Sequence, residues 1–444
     1  MTKPIPTPDS QSGLAALQAL IRERSPLAAL QVFHARLGDV FRINLPGFTP
    51  IVVVGPRAAR FVLTDGADNF RWRNERDPVT ELLRHGVLVE DGESHDRLRA
   101  LIGESMPRAA FDRFVEIMVR RCDEVTAAWP AEGVVDMLVE MRKITLLILL
   151  EALYRVDITP DLKHLWRPIL TLIRAISPGL WMLWRGAPRP GYEAARKVMD
   201  AYLFEIISQR RAALAASPDT EADDMLGSLI QAGLDDDLIR DQLLTILIAG
   251  HDTSTACLSW TLYLLGRHPD VLQRVQHEVD AVLGVAPPTR EQISQLKSVG
   301  RVVRESLRLY PPIHLGSRVA AADVEFDGYT IPAGERVIYS IYLTHRHPAH
   351  WPDPDAFDPD RYARDERPGA FTFLGFGGGA RNCLGSGFGL TEVRVVLARL
   401  LQQFDLDLVE RAVHPHMGAT LEPHPGVRMK VRRRVPLCGP GAGC

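Results

Sequence analysis

The sequence is short of the features that would place it outside ordinary folded proteins. Five cysteines occur in 444 residues, Cys122, Cys257, Cys383, Cys438 and Cys444. They form an odd, scattered set without the spacing of a disulfide framework or a zinc site, which points to a reducing compartment. Long hydrophobic runs are missing as well. Stretches such as residues 144–150 fall far below the roughly 18 residues needed to span a bilayer. The opening MTKPIPTPDSQSG has no basic start followed by an apolar segment, so no signal peptide or N-terminal anchor is expected and a cytoplasmic location is. Charge of one sign is not in excess either. Lys plus Arg total 52 against 55 Asp plus Glu, a formal net charge of −3, which gives no electrostatic reason to expect nucleic acid or an anionic membrane as partner. No internal repeat is present. What is there is a composition that is 46% hydrophobic and 24% charged, which excludes disordered and fibrous classes.

Hydrophobic periodicity divides the chain. Residues 1–13 read as a flexible tail, and a helix is expected from Leu14 through Ala15, Leu17, Leu20 and Ile21. Residues 39–54 group β-formers around Pro46-Gly47 and predict a hairpin. From about residue 107 to 309 the pattern is helical, with breaks at Gly133, at 188–191 and at Pro287-Pro288. Beyond Tyr310 come short strand candidates at 324–326, 329–331 and 336–341. A proline-rich passage follows at 348–359 and a glycine-rich one at 375–389. A last helix is expected over 391–404, a β-like ending over 427–431, and a second flexible tail over 437–444.

The glycine-rich passage contains Phe376-Gly377-Gly378-Gly379-Ala380-Arg381-Asn382-Cys383-Leu384-Gly385. A helix follows the cysteine, so backbone amides would point at its sulfur and favour thiolate over thiol. Flanking glycines allow close approach of a large flat group, and such a cysteine suits a nucleophile or the axial ligand of haem iron. A buried structural thiol is the alternative, disfavoured by the clustered glycines and the adjacent arginine. Gly375, Gly377 and Ala380 loosely match a dinucleotide fingerprint, but Arg381, Asn382 and Cys383 intervene where a helix should open.

This loop resembles that of the cytochrome P450 family, Phe-x-x-Gly-x-Arg-x-Cys-x-Gly, matched at Phe376, Gly379, Arg381, Cys383 and Gly385. The resemblance implies a mostly α fold with small β-sheets and a single catalytic domain over 14–436. It also implies haem b, non-covalently bound, with Cys383 as the proximal iron ligand and Phe376 packed beside it. Arg381 would pair with a haem propionate, as would His95, Arg99 and Arg318. No Cys-x-x-Cys-His occurs, so covalently attached haem is not suggested.

A second segment fits the same family. Residues 237–265 read as one helix, apolar on nearly every face, and therefore as a core element. Its middle is Ala249-Gly250-His251-Asp252-Thr253-Ser254-Thr255, where a glycine costs about 1 kcal/mol in helix propensity and polar side chains need buried partners. Taken alone, Asp252 and Thr253 could simply bond back to the helix or to a neighbour. The resemblance gives them tasks. Ala249 and Gly250 leave room for dioxygen, Thr253 bonds four residues back and orients protons, Asp252 relays protons from solvent, and His251 and Ser254 are structural. Glu305 and Arg308, three apart on a helix ending before Pro311-Pro312, resemble half of a buried triad completed by Arg361, with a structural role. His345, His347 and His350 invite a metal reading, but no fourth ligand or scaffold accompanies them.

The reaction implied is RH + O2 + 2e− + 2H+ giving ROH + H2O. No flavin or iron–sulfur domain is fused, so NAD(P)H would act indirectly, through a ferredoxin or flavodoxin and its reductase, on a monomeric enzyme. Candidate substrate-lining segments are 71–87, 173–183, Leu244 with Ala249, 313–315 and 417–421, which favour a small apolar substrate, with a lean to a fatty acid, terpenoid or carotenoid. The alternatives are a peroxide-driven peroxygenase on a fatty acid and a non-catalytic haem-binding sensor or carrier.

Overall fold

One long helix, Asp236–Arg267, organises the fold. It starts where the Asp235 carboxylate accepts the Leu238 N–H at 2.8 Å, an N-cap that satisfies one of the free amides of the first turn. It stops at His268 because Pro269 cannot continue the ladder. This central helix packs on the Met137–Tyr154, Tyr192–Ala216, Lys297–Leu309 and Ser386–Gln403 helices. The tightest approach is to Met137–Tyr154: a Cβ on Gly250 would stand 2.3 Å from Leu149 Cδ1. Buried hydroxyls join the same two helices, with Tyr154 donating to Leu243 O at 2.6 Å and Thr145 meeting Thr255 at 2.9 Å.

The computed structural model describes residues 3–182, 184, 186–217, 222–364, 368–409 and 411–434. The expected tail over 437–444, with Cys438 and Cys444, and Leu183 of the expected lining lie outside the described residues. The architecture is mostly α with small sheets, as the sequence predicts. The largest sheet has five strands in the order Val40–Arg42, Ile51–Val53, Arg336–Ser340, Leu315–Ala320 and Phe70–Arg71. All pairings are antiparallel except Ile51–Val53 with Arg336–Ser340. A three-stranded sheet joins Glu132–Asp136, Arg428–Arg433 and Phe404–Leu408. Two hairpins stand apart, Val324–Phe326 with Tyr329–Ile331 and His414–Met417 with Leu421–His424. Among the described residues, no helix is long and apolar enough to cross a membrane.

Six strands lie where none is expected, Phe70–Arg71, Glu132–Asp136, Leu315–Ala320, Phe404–Leu408, His414–Met417 and Leu421–His424, and two helix starts are displaced. Residues 3–9, expected as part of a flexible tail, are stitched to the first sheet region: Lys3 N–H donates to Gly328 O at 2.9 Å, Arg42 N–H donates to Pro6 O at 2.8 Å, and Ile5 packs on the core beneath. The first helix then begins at Ser10, where Asp9 caps the Ser12 N–H at 2.7 Å. Polar and proline residues hid this segment because its anchoring is by backbone bonds, which leave no hydrophobic period. The late helix starts at Ser386, five residues before the expected position, so it follows Cys383 almost directly.

Candidate active site

The Cys383 loop is held from both sides by backbone geometry. Cys383 N–H donates to Phe376 O at 2.8 Å, and Gly377 N–H donates to Leu374 O at 2.9 Å. Gly379 has φ +65°, and a Cβ there would lie 2.0 Å from Leu63 O, so only glycine fits. The outcome is a cysteine whose side chain stays uncovered by protein. Burial of its surroundings pushes the thiol up from its usual range, while the Gly385 N–H and the charge of Arg99 act the other way. The sequence argument from amides alone favoured thiolate; in the structure desolvation outweighs them.

Beneath this loop lies the triad. Glu305 accepts from Arg308 through both oxygens, at 2.8 and 2.9 Å, and from Arg361 Nε at 3.0 Å, all three side chains being buried. Arg308 also donates to His345 O at 3.0 Å, Pro354 O at 2.6 Å and Ala356 O at 2.9 Å. His345, which sequence reasoning set aside, is the link to the cysteine loop. Its Nδ1 meets Arg308 O at 3.1 Å, its Nε2 accepts the Leu374 N–H at 2.6 Å, and its ring stacks on Phe373 at 5.2 Å. The three histidines of that segment therefore do not converge. His347 instead faces Asp39, whose Oδ1 it meets through Nε2 at 3.2 Å, together with His34 at 2.8 Å. Its Nδ1 accepts the Ala349 N–H at 3.2 Å, which places the ring proton on Nε2, toward Asp39. His350 is exposed.

The four residues that the resemblance assigns to the propionates lie close together. His95 and Arg99 share the Gly92–Glu104 helix, Arg318 lies on Leu315–Ala320, and Arg381 is in the loop. They are near enough to act on one another: burial first, then Arg381 and Arg99, hold His95 down against the pull of Asp96, while burial, Arg318 and Arg99 hold Arg381 down against Asp91 and Asp96. Arg99 donates to Asn382 Oδ1 at 2.6 Å, Arg381 to Asp91 at 2.6 Å and Arg318 to Ser317 O at 2.7 Å. Three arginines, with the His95 imidazole beside them, make a place for further anionic groups.

The central helix supplies the opposite wall. Between Ile239 and Leu265 every residue is buried except Ile246, Ala249, Gly250 and Thr253, whose i, i+3, i+4, i+7 spacing is a single stripe. Leu244, expected in the lining, is fully buried, and Ile246 holds that place. Thr253 donates to Ala249 O at 2.7 Å, the bond four residues back that the sequence predicts. Gly250 has a second duty, since its missing side chain is what admits Leu149. Asp252, beside Thr253, is 1% exposed. It accepts from Thr420 at 2.7 Å through Oδ2, while Oδ1 has no partner. Burial, with Glu422 next, raises its carboxyl to about 7. His251 is held neutral by burial, its value lowered to about 3, with Nε2 at 3.1 Å from Arg142 O. Thr420, Glu422 and Arg142 were not singled out individually; only the 417–421 segment was, as lining.

Haem fits these residues: a thiol left uncovered on a rigid loop, a ring of cations suited to two propionates, and an uncovered stripe of small side chains on the central helix. Of the segments expected to line the substrate, Trp72, Val79 and Val87 are partly buried against the main core, Ile313 is exposed, and the 173–183 and 417–421 segments meet where Ser177 Oγ accepts the Ala419 N–H at 2.8 Å. The hairpin is fixed to the central helix by Trp260, which donates to Leu421 O at 2.8 Å and stacks on Tyr310 at 3.8 Å.

Comparison with known proteins agrees with this geometry. Cyclooctatin synthase of Streptomyces melanosporofaciens is 31% identical over 92% of this chain and 90% of its own. Pentalenene oxygenase of Streptomyces avermitilis is 27% identical over 93% of this chain and 94% of its own. The solved structure of a retinoic acid-bound cyanobacterial CYP120A1 superposes with a TM-score of 0.85 and 26% identity, covering 98% of this chain and all of that one. The Cytochrome P450 family model matches residues 8–430, and with the cysteine loop, the buried triad and the acid–alcohol helix in place, the chain belongs to the cytochrome P450 family of haem-containing monooxygenases.

Proposed function

We propose that this monooxygenase hydroxylates an apolar isoprenoid, of terpenoid or carotenoid class, with electrons from a separate ferredoxin or flavodoxin and its reductase. The observation that carries the reading is the uncovered Ile246–Ala249–Gly250–Thr253 stripe with a buried acid beside its alcohol, in a helix otherwise closed on every face. Packing alone would not retain an orphan carboxyl oxygen at that depth. Two relatives named for cyclooctatin and pentalenene, and a structural neighbour holding retinoic acid, support the substrate class. The apolar side chains of Trp72, Val79, Val87 and Ile313, in segments expected to line the substrate, suit the same chemistry.

Haem, held by Cys383 and with its propionates met by His95, Arg99, Arg318 and Arg381, would supply dioxygen activation. The chain's own residues do the rest. Ala249 keeps the stripe shallow. Thr253, held through Ala249 O, presents its hydroxyl at the site, and Asp252 holds a proton within one residue of it. The triad and His345 keep the cysteine loop in register. A peroxide-driven reaction brings its own protons and has no use for Asp252 and Thr253, which is why O2 and reductant are preferred.

The test is an absorption titration of the purified ferric protein with terpenoids, carotenoids, fatty acids, steroids and macrolides, followed by turnover with a ferredoxin system. A high-spin shift and NAD(P)H-dependent hydroxylation confined to the first two classes is expected. Turnover driven by peroxide alone, or a response only to fatty acids, steroids or macrolides, overturns the proposal.

A further inference from the structure

The Asp252 carboxyl has company that the acid–alcohol pair does not explain. The His414–Met417 and Leu421–His424 hairpin brings Thr420 and Glu422 against the central helix, and Glu422 pairs with Arg142 of the Met137–Tyr154 helix. Asp252 is sealed from solvent, whereas the Glu422 and Arg142 side chains are 17% and 15% exposed. Glu422 also faces Asp252, so the buried acid adjoins an ion pair that reaches solvent. We propose that Glu422 is the positioning residue that keeps Asp252 in its protonated, proton-donating form, and that Glu422 paired with Arg142 connects it to solvent. This rests on the reading of Asp252 as the proton source for Thr253.

The argument is one of charge and place. Two carboxyl groups beside one guanidinium cannot both stay ionised in a buried site, so one keeps its proton. Glu422 is paired with Arg142 and partly open to solvent. Asp252 has one hydroxyl donor, Thr420, and otherwise meets the carboxyl of Glu422 rather than a donor. The proton therefore resides on Asp252. Burial and the Glu422 charge both raise its affinity, with Thr420 and Arg142 opposing. The other titratable groups around it are few. His251 is neutral, its Nε2 on Arg142 O and its Nδ1 unpartnered, and His416 lies across the hairpin from Glu422. A proton that leaves Asp252 toward Thr253 is replaced from Glu422, which takes one from water at the rim; Arg142 returns Glu422 to its anion. No electrons move, and one proton enters for each delivered.

The experiment is infrared titration of the substrate-free ferric holoenzyme, with Asp252→Asn to assign the carboxylic-acid C=O band. The wild-type band should persist near pH 7. In Glu422→Gln, which removes the facing charge, it should titrate at least about one pH unit lower, and in Arg142→Gln, which removes the opposing cation, it should titrate higher. Thr420→Val, which leaves both charges in place, should also move it up. Haem absorbance and circular dichroism establish that each variant is folded, so a failed variant leaves the other two to decide. If the band is absent at neutral pH, or if Glu422→Gln moves it by less than about 0.3 unit, the proposal is overturned. These outcomes are separate from the catalytic reading: loss of product in Asp252→Asn with an unmoved band in Glu422→Gln would sink this inference and leave the relay standing. The converse would sink the relay alone.

Discussion

Glu305 and Asp252 are both carboxyls deep inside the protein, and their surroundings are opposites. Glu305 receives four donors from Arg308, Arg361 and the Asp358 N–H, so each oxygen is occupied. Asp252 receives one donor, leaves Oδ1 free, and faces a second acid. A carboxylate saturated with donors fixes geometry; one left short of them is poised to exchange a proton. The same side-chain chemistry is spent on register at one site and on reactivity at the other.

The comparison can be broken most severely at the saturated end. Arg308→Ala leaves Glu305 buried without its main cation and strips three carbonyls of a donor, so a loss of about 3–5 kcal/mol is expected, with poor haem retention, read by thermal unfolding and by haem content after purification. At the other end Asp252→Asn should leave the fold intact while product formation falls about 100-fold. Its stability should also carry a pH signature. Folding raises the Asp252 carboxyl from 3.8 to about 7, so between those values the folded state holds a proton that the unfolded state releases, and wild-type stability declines as pH rises through that window. The asparagine variant lacks this decline, so its unfolding temperature should gain on wild type from pH 4 to 7 and hold the gain above. Identical pH profiles for the two proteins would contradict the contrast. Thr253→Ala should be the mildest change, lowering product per NAD(P)H consumed by about tenfold with stability within about 1 kcal/mol; unchanged coupling would remove Thr253 from the proton route.

What could be read in advance follows the same division. Local signals carried the cysteine loop, the helix around Asp252 and Thr253, the Glu305–Arg308 pair and half of the strands, because spacing along one element decides them. Cross-chain relations left no local trace. His345 looked like one of three loop histidines, yet it is the strut between Arg308 and Leu374. Glu422 was not singled out, and nothing in its sequence neighbours announced Asp252. The exchange of Leu244 for Ile246 in the lining reflects helix rotation, which periodicity cannot set when nearly every face is apolar. The N-terminal segment escaped because backbone pairing does not depend on side-chain pattern.

Arg308 binds its surroundings mainly through the carbonyls of His345, Pro354 and Ala356. Every amino acid has a carbonyl, so the contact constrains the route of the chain and leaves the identity of residues 354 and 356 open to substitution. Substitutions at 354 and 356 that keep the path of the chain should therefore still deliver the cysteine to the same spot. The tolerance has one boundary, at His345, where the ring itself carries the message onward to Leu374.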